Sequence, residues 1–341
     1  MRKLTRRETV DILGRGIPGY LAGFPTVVSF EMTYSCPANC RHCDMGGMVE
    51  EEKLIGPNDY RRLMRTLKPV IVQISGGEPL LREDLTEIMT AIKPRGKHVP
   101  YLIVVSNGWL LTREKYLALR EAGMNQLSLS LCFPDSRHDE WRRLKGLYDH
   151  LDRLVPELAS LGHDDIVLNS AITHENMPHI MDLVHNAARW GVSISFSAYS
   201  ILRTGERKYT IEKPEDLEVL RQQLDALKEY KASNCGSILN ADFNIDGTYD
   251  FFKYQEIKPC SAGQRFLVVT PGGYLKPCSM HEKNYTSLRQ IRREFVPNND
   301  CGGCYVSIRS YLDKSLPGLL KEYLKAHSFR NGKNKRIRSV A

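Results

Sequence analysis

Cys36-Pro-Ala-Asn-Cys40-Arg-His-Cys43 follows directly on the apolar run Val27-Val28-Ser29-Phe30-Glu31-Met32-Thr33-Tyr34. A strand that empties into a loop with three cysteines in eight residues can gather those thiols on one inorganic centre. Thiolates are soft ligands that favour zinc, copper(I) and iron–sulfur clusters over hard cations. Three are one short of the four that close a zinc or cubane site. Either a fourth ligand arrives, with His42 or a distant cysteine completing a zinc loop, or one metal stays open for a substrate or cofactor. The plainest alternative is three buried thiols packing as small hydrophobes.

Around this loop, strand-like and helix-like segments alternate. After the first strand near Val27 come a helix at Pro57–Leu67, a strand at Val70–Ser75 and helical spacing from Arg82 to Ile92. A strand at Tyr101–Val105 precedes a helix from Thr112 to Ala122, and a strand at Gln126–Leu131 precedes helical spacing from Arg137 to Leu161, interrupted at Pro156. Strands at Asp165–Ile172 and Val192–Ala198 are followed by helices at Met177–Trp190 and Glu215–Tyr230. Such alternation argues a parallel sheet with crossover helices. Six units suit an α/β fold of the partial (β/α)6 TIM type better than a closed eight-stranded barrel.

From about Cys235 cysteines, not helices, punctuate the chain. Gln264–Thr270 and Tyr274–Pro277 flank Pro271-Gly272-Gly273, which reads as a β-hairpin. The expected organisation is a basic N-terminal extension over residues 1–26, a short helix followed by the breaker cluster Arg15-Gly-Ile-Pro-Gly, and a barrel over 27–232. A small cysteine-rich hairpin domain over 233–312 and a short helix with a basic tail over 313–341 complete it.

Gly76-Gly77-Glu78-Pro79 follows the second strand and Ser106-Asn107-Gly108 the third. Ligands of parallel α/β folds bind at the C-terminal ends of strands. Two glycines let backbone approach a ligand, and an adjacent carboxylate can take an ammonium group; a tight turn with a capping acid is the alternative. Asn107-Gly108 alone could be a left-handed turn.

Taken together, Cys-x3-Cys-x2-Cys with His42 before the last cysteine, and Gly-Gly-Glu-Pro one strand later, resemble the radical S-adenosylmethionine (radical SAM) superfamily. The resemblance implies a [4Fe-4S] cluster on Cys36, Cys40 and Cys43 with SAM on its open iron. It also implies SAM contacts at His42, Gly76, Gly77, Glu78, Pro79, Ser106, Asn107, Ser130, Arg143 and Asn169. Asn169 reads equally well as a strand asparagine bonded to its neighbours. Cys132 stands where this branch usually has Asp, and burial is the expected fate of a lone cysteine.

Cys260, Cys278, Cys301 and Cys304 can complete a closed tetrahedral or cubane site. They resemble the SPASM/Twitch extension, in the Twitch form with one auxiliary [4Fe-4S] cluster; structural zinc is the alternative. Cys235 is left over.

The 341 residues, 42% hydrophobic and 26% charged, are those of an ordinary globular protein. No secretory signal or membrane span is present, and two cysteine clusters are metal spacing more than a disulfide framework, so the expected location is cytoplasmic. The net charge of +8 sits at the ends: five Lys/Arg against two acids up to Arg15, and seven against one from Leu319. Basic ends leave open a peripheral membrane contact, whereas nucleic-acid binding lacks a basic stripe on a domain. The resemblance implies a reduced flavodoxin- or ferredoxin-type electron donor. It also implies hydrogen abstraction from a C–H bond of a small-molecule or natural-product precursor, with a lipid or ribosomal peptide as alternative substrates. A non-catalytic iron–sulfur or zinc scaffold is the alternative of another class.

Overall fold

In the computed structural model, which describes residues 4–319 together with 321–322, six strands form one parallel sheet. They are β1 (Val27–Glu31), β2 (Ile71–Ser75), β3 (Tyr101–Ser106), β4 (Gln126–Ser130), β5 (Ile166–Ile172) and β6 (Ser193–Ala198), side by side in chain order. Helices α2 (Pro57–Leu67), α3 (Leu85–Ile92), α4 (Arg113–Glu121), α5 (Arg137–Arg142), α6 (Leu147–Ala159) and α7 (Ile180–Arg189) occupy the crossovers. α8 (Pro214–Ser233) follows β6. This is the partial (β/α)6 barrel expected from the strand–helix count.

The two faces of the sheet differ. Val28, Phe30, Val72, Ile74, Leu102, Val104, Leu127, Leu129, Leu168, Ile194 and Phe196 are buried in one continuous core. Burying each such side chain contributes about 1.5–3 kcal/mol, and Phe30 meets Tyr60 of α2 edge-on at 5.2 Å. The alternate residues form the other face, which carries Ser29, Glu31, Gln73, Ser75, Ser128, Ser130, Asn169, Ser195 and Ser197. Ser29 and Ser75 share a hydrogen bond across it at 2.8 Å. Strands covered by apolar groups on both sides read as continuous hydrophobic runs; this polar alternation marks an interior built to hold something polar.

Both edges of the sheet are covered by the C-terminal part of the chain. β7 (Phe266–Val269) pairs parallel with β1, Val27 opposite Phe266, and β8 (Leu275–Lys276) returns antiparallel. At the opposite edge, Ile194 N donates to Ser237 O (2.8 Å) and Ala198 N to Tyr305 O (3.2 Å). The hairpin is therefore continuous with the barrel sheet.

Three local expectations are corrected. The Gly-Ile-Pro-Gly cluster does not end the first helix: α1 runs Arg6–Leu21, opened by a Thr5–Glu8 capping box. Its second half is held by packing, Gly16 against Val70 and the Tyr20 ring 4.1 Å from Arg265. The long helical stretch breaks at Arg143–Gly146, both in the left-handed region, and passes through Pro156. Beyond Cys235 there are helices after all: α9 (Asp242–Tyr254), α10 (Leu288–Glu294) and α11 (Ser307–Leu312). Asn, Asp, Thr and Gly hide α9 in the sequence; Gly247 is there because a Cβ would sit 2.2 Å from the Tyr305 hydroxyl. Most of the basic tail lies outside the described residues.

Candidate active site

The cysteine loop leaves the C-terminal end of β1 and closes on itself through paired backbone bonds between Cys36 and Gly47 (2.8 and 3.1 Å). The Gly-Gly-Glu-Pro turn is what holds it from the side. Gly77 N donates to Thr33 O (2.7 Å) and Glu78 N to Ser35 O (2.9 Å). A Cβ on Gly77 would sit 2.1 Å from Ser35 O, and one on Gly76, at φ +126°, 2.5 Å from Thr33 O. The glycines are thus required by the approach of the cysteine loop itself.

Glu78, expected to contact the amino group of SAM, has several hydrogen-bond partners within the chain. It is fully buried, and its carboxylate accepts from Leu80 N (3.1 Å), Ser106 Oγ (2.8 Å) and Asn107 N (2.8 Å). Burial pushes its pKa up while these bonds pull it down. The carboxylate and the Ser106 hydroxyl tie the ends of β2 and β3 together. Asn107 adds a direct link, its Nδ2 donating to Cys36 Sγ at 3.7 Å.

Cys36 and Cys40 are buried and Cys43 half-buried. Burial, with the charges of Cys40 and Cys43 among the further causes, pushes the Cys36 thiol up to about 11. A metal centre there must displace protons, and its positive charge relieves that crowding. Arg142, 8% exposed, donates to Cys40 Sγ (3.5 Å) and Cys132 Sγ (3.2 Å). Arg143, expected from the resemblance to contact SAM, is exposed and lines an outer crevice of about 740 Å³ with Arg41, Glu140, Glu175, Lys208 and Tyr209. The signal in the sequence was helical period: Arg142 follows the buried His138 by four residues on one face.

His42 accepts from Trp141 Nε1 through Nδ1 (2.7 Å) and stacks on that indole at 5.6 Å. Burial keeps its pKa well below the usual value, so the ring is neutral. Ser130 and Asn169 face each other on the polar side of β4 and β5, and Asn169 Nδ2 donates to Ser128 Oγ. Pro79 is buried beside Leu80. Cys132 is fully buried among Phe133, Trp141, Tyr199 and Tyr209, as a lone thiol was expected to be. Glu31, at the end of β1 on the polar face, is 2% exposed with no partner for Oε2. Burial pushes its carboxyl up to about 7 against the pull of Lys276 and Arg203.

The second set lies in one neighbourhood, with its thiols in electrostatic reach of one another. Burial pushes the Cys278 thiol up to about 12, with Cys304, Cys260 and Cys301 all adding to the shift. Arg309, 6% exposed, donates to Cys304 Sγ (3.4 Å), to Pro259 O (3.2 Å) and to Asp313 (2.9 Å). Asp313 in turn accepts from Ser261 N (2.8 Å), next to Cys260. Cys235 is exposed and outside both sets. Among the described residues no three His, Cys, Asp or Glu side chains are gathered as ligands of a single ion.

A half-open barrel with ligand-bearing loops at the C-terminal ends of its strands defines the molecule as a barrel enzyme. The model of the Radical SAM superfamily matches residues 30–187. The AdoMet-dependent heme synthase of Oleidesulfovibrio alaskensis is 25% identical over 287 residues, covering 78% of this chain and 72% of that protein. The Fe-coproporphyrin III synthase of Methanosarcina barkeri is 26% identical over 271 residues, covering 74% and 66%. Among solved structures, Streptococcus suis SuiB bound to S-adenosylmethionine superposes with a TM-score of 0.62 at 18% identity. That match covers 93% of this chain and 82% of SuiB, and it speaks for the fold alone. Residues 30–187 thus carry a radical SAM domain, and the chain is an enzyme of the radical SAM type. That domain implies a [4Fe-4S] cluster and SAM as cofactors. No helix among the described residues is long and apolar enough to cross a membrane.

Proposed function

We propose that Cys36, Cys40 and Cys43 bind the [4Fe-4S] cluster, and that the enzyme takes a hydrogen atom from a C–H bond of a small-molecule or natural-product precursor. The observation that carries this reading is the first cysteine loop: three thiols, two of them buried, on a frame fixed by Gly77, Glu78, Asn107 and Arg142, beside a polar barrel interior. The donor set fits the group, because soft thiolates in a set of three leave one iron for SAM. When bound, the cluster and SAM together supply a 5′-deoxyadenosyl radical on one-electron reduction. The chain's own residues do the remainder. Asn107 and Arg142 donate to thiolate sulfurs and hold the loop. Glu78 joins the ends of β2 and β3. Ser130 and Asn169 present polar groups into the interior, toward SAM or substrate. A reduced flavodoxin- or ferredoxin-type protein is the electron donor this chemistry requires.

We further take residues 27–232 as the catalytic barrel and 233–312 as an auxiliary region. Its Cys260, Cys278, Cys301 and Cys304 hold a second [4Fe-4S] cluster that accepts an electron or anchors substrate. Three other thiols in electrostatic reach of Cys278, and the Arg309 guanidinium bonded to Cys304 Sγ, support that assignment. Heme synthase and Fe-coproporphyrin III synthase carry tetrapyrrole names and the PqqA peptide cyclase, 26% identical, a peptide name, so relatives of both substrate classes stand at similar distance.

The test is anaerobic reconstitution followed by an iron and sulfide count, then dithionite and SAM with detection of 5′-deoxyadenosine. About eight irons with product is the expected result. About four irons with product would make the C-terminal set a zinc site. A reducible cluster without product would overturn the catalytic reading.

A further inference from the structure

The loop after β6 ties together the two cysteine regions. Ser200 Oγ donates to Gly303 O at 2.7 Å, and Leu202 packs so closely on Gly303 that a Cβ there would meet Leu202 Cδ1 at 3.0 Å. One residue on, Arg203 Nη1 donates to Asp44 Oδ1 at 2.7 Å. The Arg203 side chain is 18% exposed and that of Asp44 48%, so the pair runs from the interior out to the rim. Surface ion pairs contribute about 0–1 kcal/mol, and burying a guanidinium costs more than such a pair returns. Stability alone therefore does not account for this one.

We propose that Arg203 is a positioning residue for the N-terminal cysteine site. It clasps Asp44, the residue after Cys43, and so holds a positive charge at the Cys43 end of the loop, which raises the reduction potential of a cluster bound there. The inference rests on the reading that Cys36, Cys40 and Cys43 hold that cluster. Reduction adds one electron from the external donor and hence one negative charge to the site. A nearby cation stabilises the reduced form more than the oxidised form, and charge around the sulfurs is a recognised lever on cluster potential. Arg203 keeps its proton throughout and exchanges nothing with the substrate.

Full-length wild type, Arg203→Gln and Arg203→Lys are reconstituted anaerobically and their iron counted. The midpoint potential is then read by electron paramagnetic resonance, following the signal that changes when SAM is added. The glutamine variant is expected to titrate at a more negative potential than wild type, and the lysine variant close to wild type. A glutamine variant with full iron and an unshifted potential overturns the proposal. So does failure of both variants to take up iron, since lysine offers Asp44 the same charge. A wild type with no SAM-sensitive reducible cluster would instead refute the underlying reading.

Discussion

The two cysteine sites stand on different kinds of backbone. The first springs from β1, inside the parallel sheet, and is pressed against the β2 turn so tightly that Gly77 admits no side chain. The second has no such frame: Cys260 and Cys278 lie on either side of the short β7–β8 hairpin, and Cys301 and Cys304 on an irregular loop before α11. Cys36 and Cys40 are 6% and 8% exposed, whereas Cys301 is exposed outright. Yet each set has one buried arginine with a donor on a cysteine sulfur, Arg142 in the first and Arg309 in the second. The common element is a cation bonded to a cysteine sulfur. The differing element is rigidity and number: a cluster bound by the three thiols would keep an open coordination position, and a site bound by the four would be closed.

The strongest way to break this comparison is to remove one set at a time. Replacing Cys36, Cys40 and Cys43 by Ala should abolish 5′-deoxyadenosine formation and leave about half the iron. Unchanged product would remove the catalytic role from the first loop. Replacing Cys301 and Cys304 should also halve the iron but leave SAM cleavage in the absence of substrate intact. Equal loss of cleavage in this variant would show that the two sites do not work apart.

A smaller effect tests the polar interior beside the first site. The Glu31 carboxyl, raised by burial to about 7 from 4.5, binds its proton more tightly when the chain is folded. Wild-type stability should therefore fall as pH rises through about 4.5 to 7 and level off above it. Glu31→Gln carries no charge to bury, so its urea midpoint should match wild type near pH 4.5. At pH 8 it should exceed wild type by about 3 kcal/mol in stability. A difference that does not vary with pH would mean Glu31 ionises as it does in water. The smallest effect is expected at Cys132. Cys132→Ala should cost about 1 kcal/mol in urea unfolding and leave iron content and SAM cleavage untouched. A fall in iron would make Cys132 a ligand and blur the difference between three thiols and four.

The barrel was legible because each strand is a short apolar or alternating run and each crossover shows helical spacing, which local periodicity reports well. The helix α9 was not: Asp242–Tyr254 is poor in helix formers, and it is held by contacts such as Tyr305 over Gly247 that no window of sequence contains. The site shows the same division. The cysteines and the glycine turn were found by type and spacing. The partners of Glu78 at the end of β3, Ser106 and Asn107, could not be read from its neighbours in sequence. Nor could Arg142, whose burial beside an exposed Arg143 follows from the left-handed backbone at Arg143. Arg203 and Arg309 act across long stretches of chain, and composition gives no sign of them.

The pairing of β7 with β1 sets an order of events during synthesis. Val27 emerges early, but its outer neighbour Phe266 is made only after all six barrel strands. The far edge, at Ala198, likewise waits for Tyr305. A nascent chain with its barrel strands complete thus holds two unpaired strand edges, templates for pairing with another chain. The first cysteine loop hangs from one of those edges. Chaperone cover and delivery of iron and sulfide are accordingly best timed to the release of the C-terminal segment, which supplies the last ladder on each side.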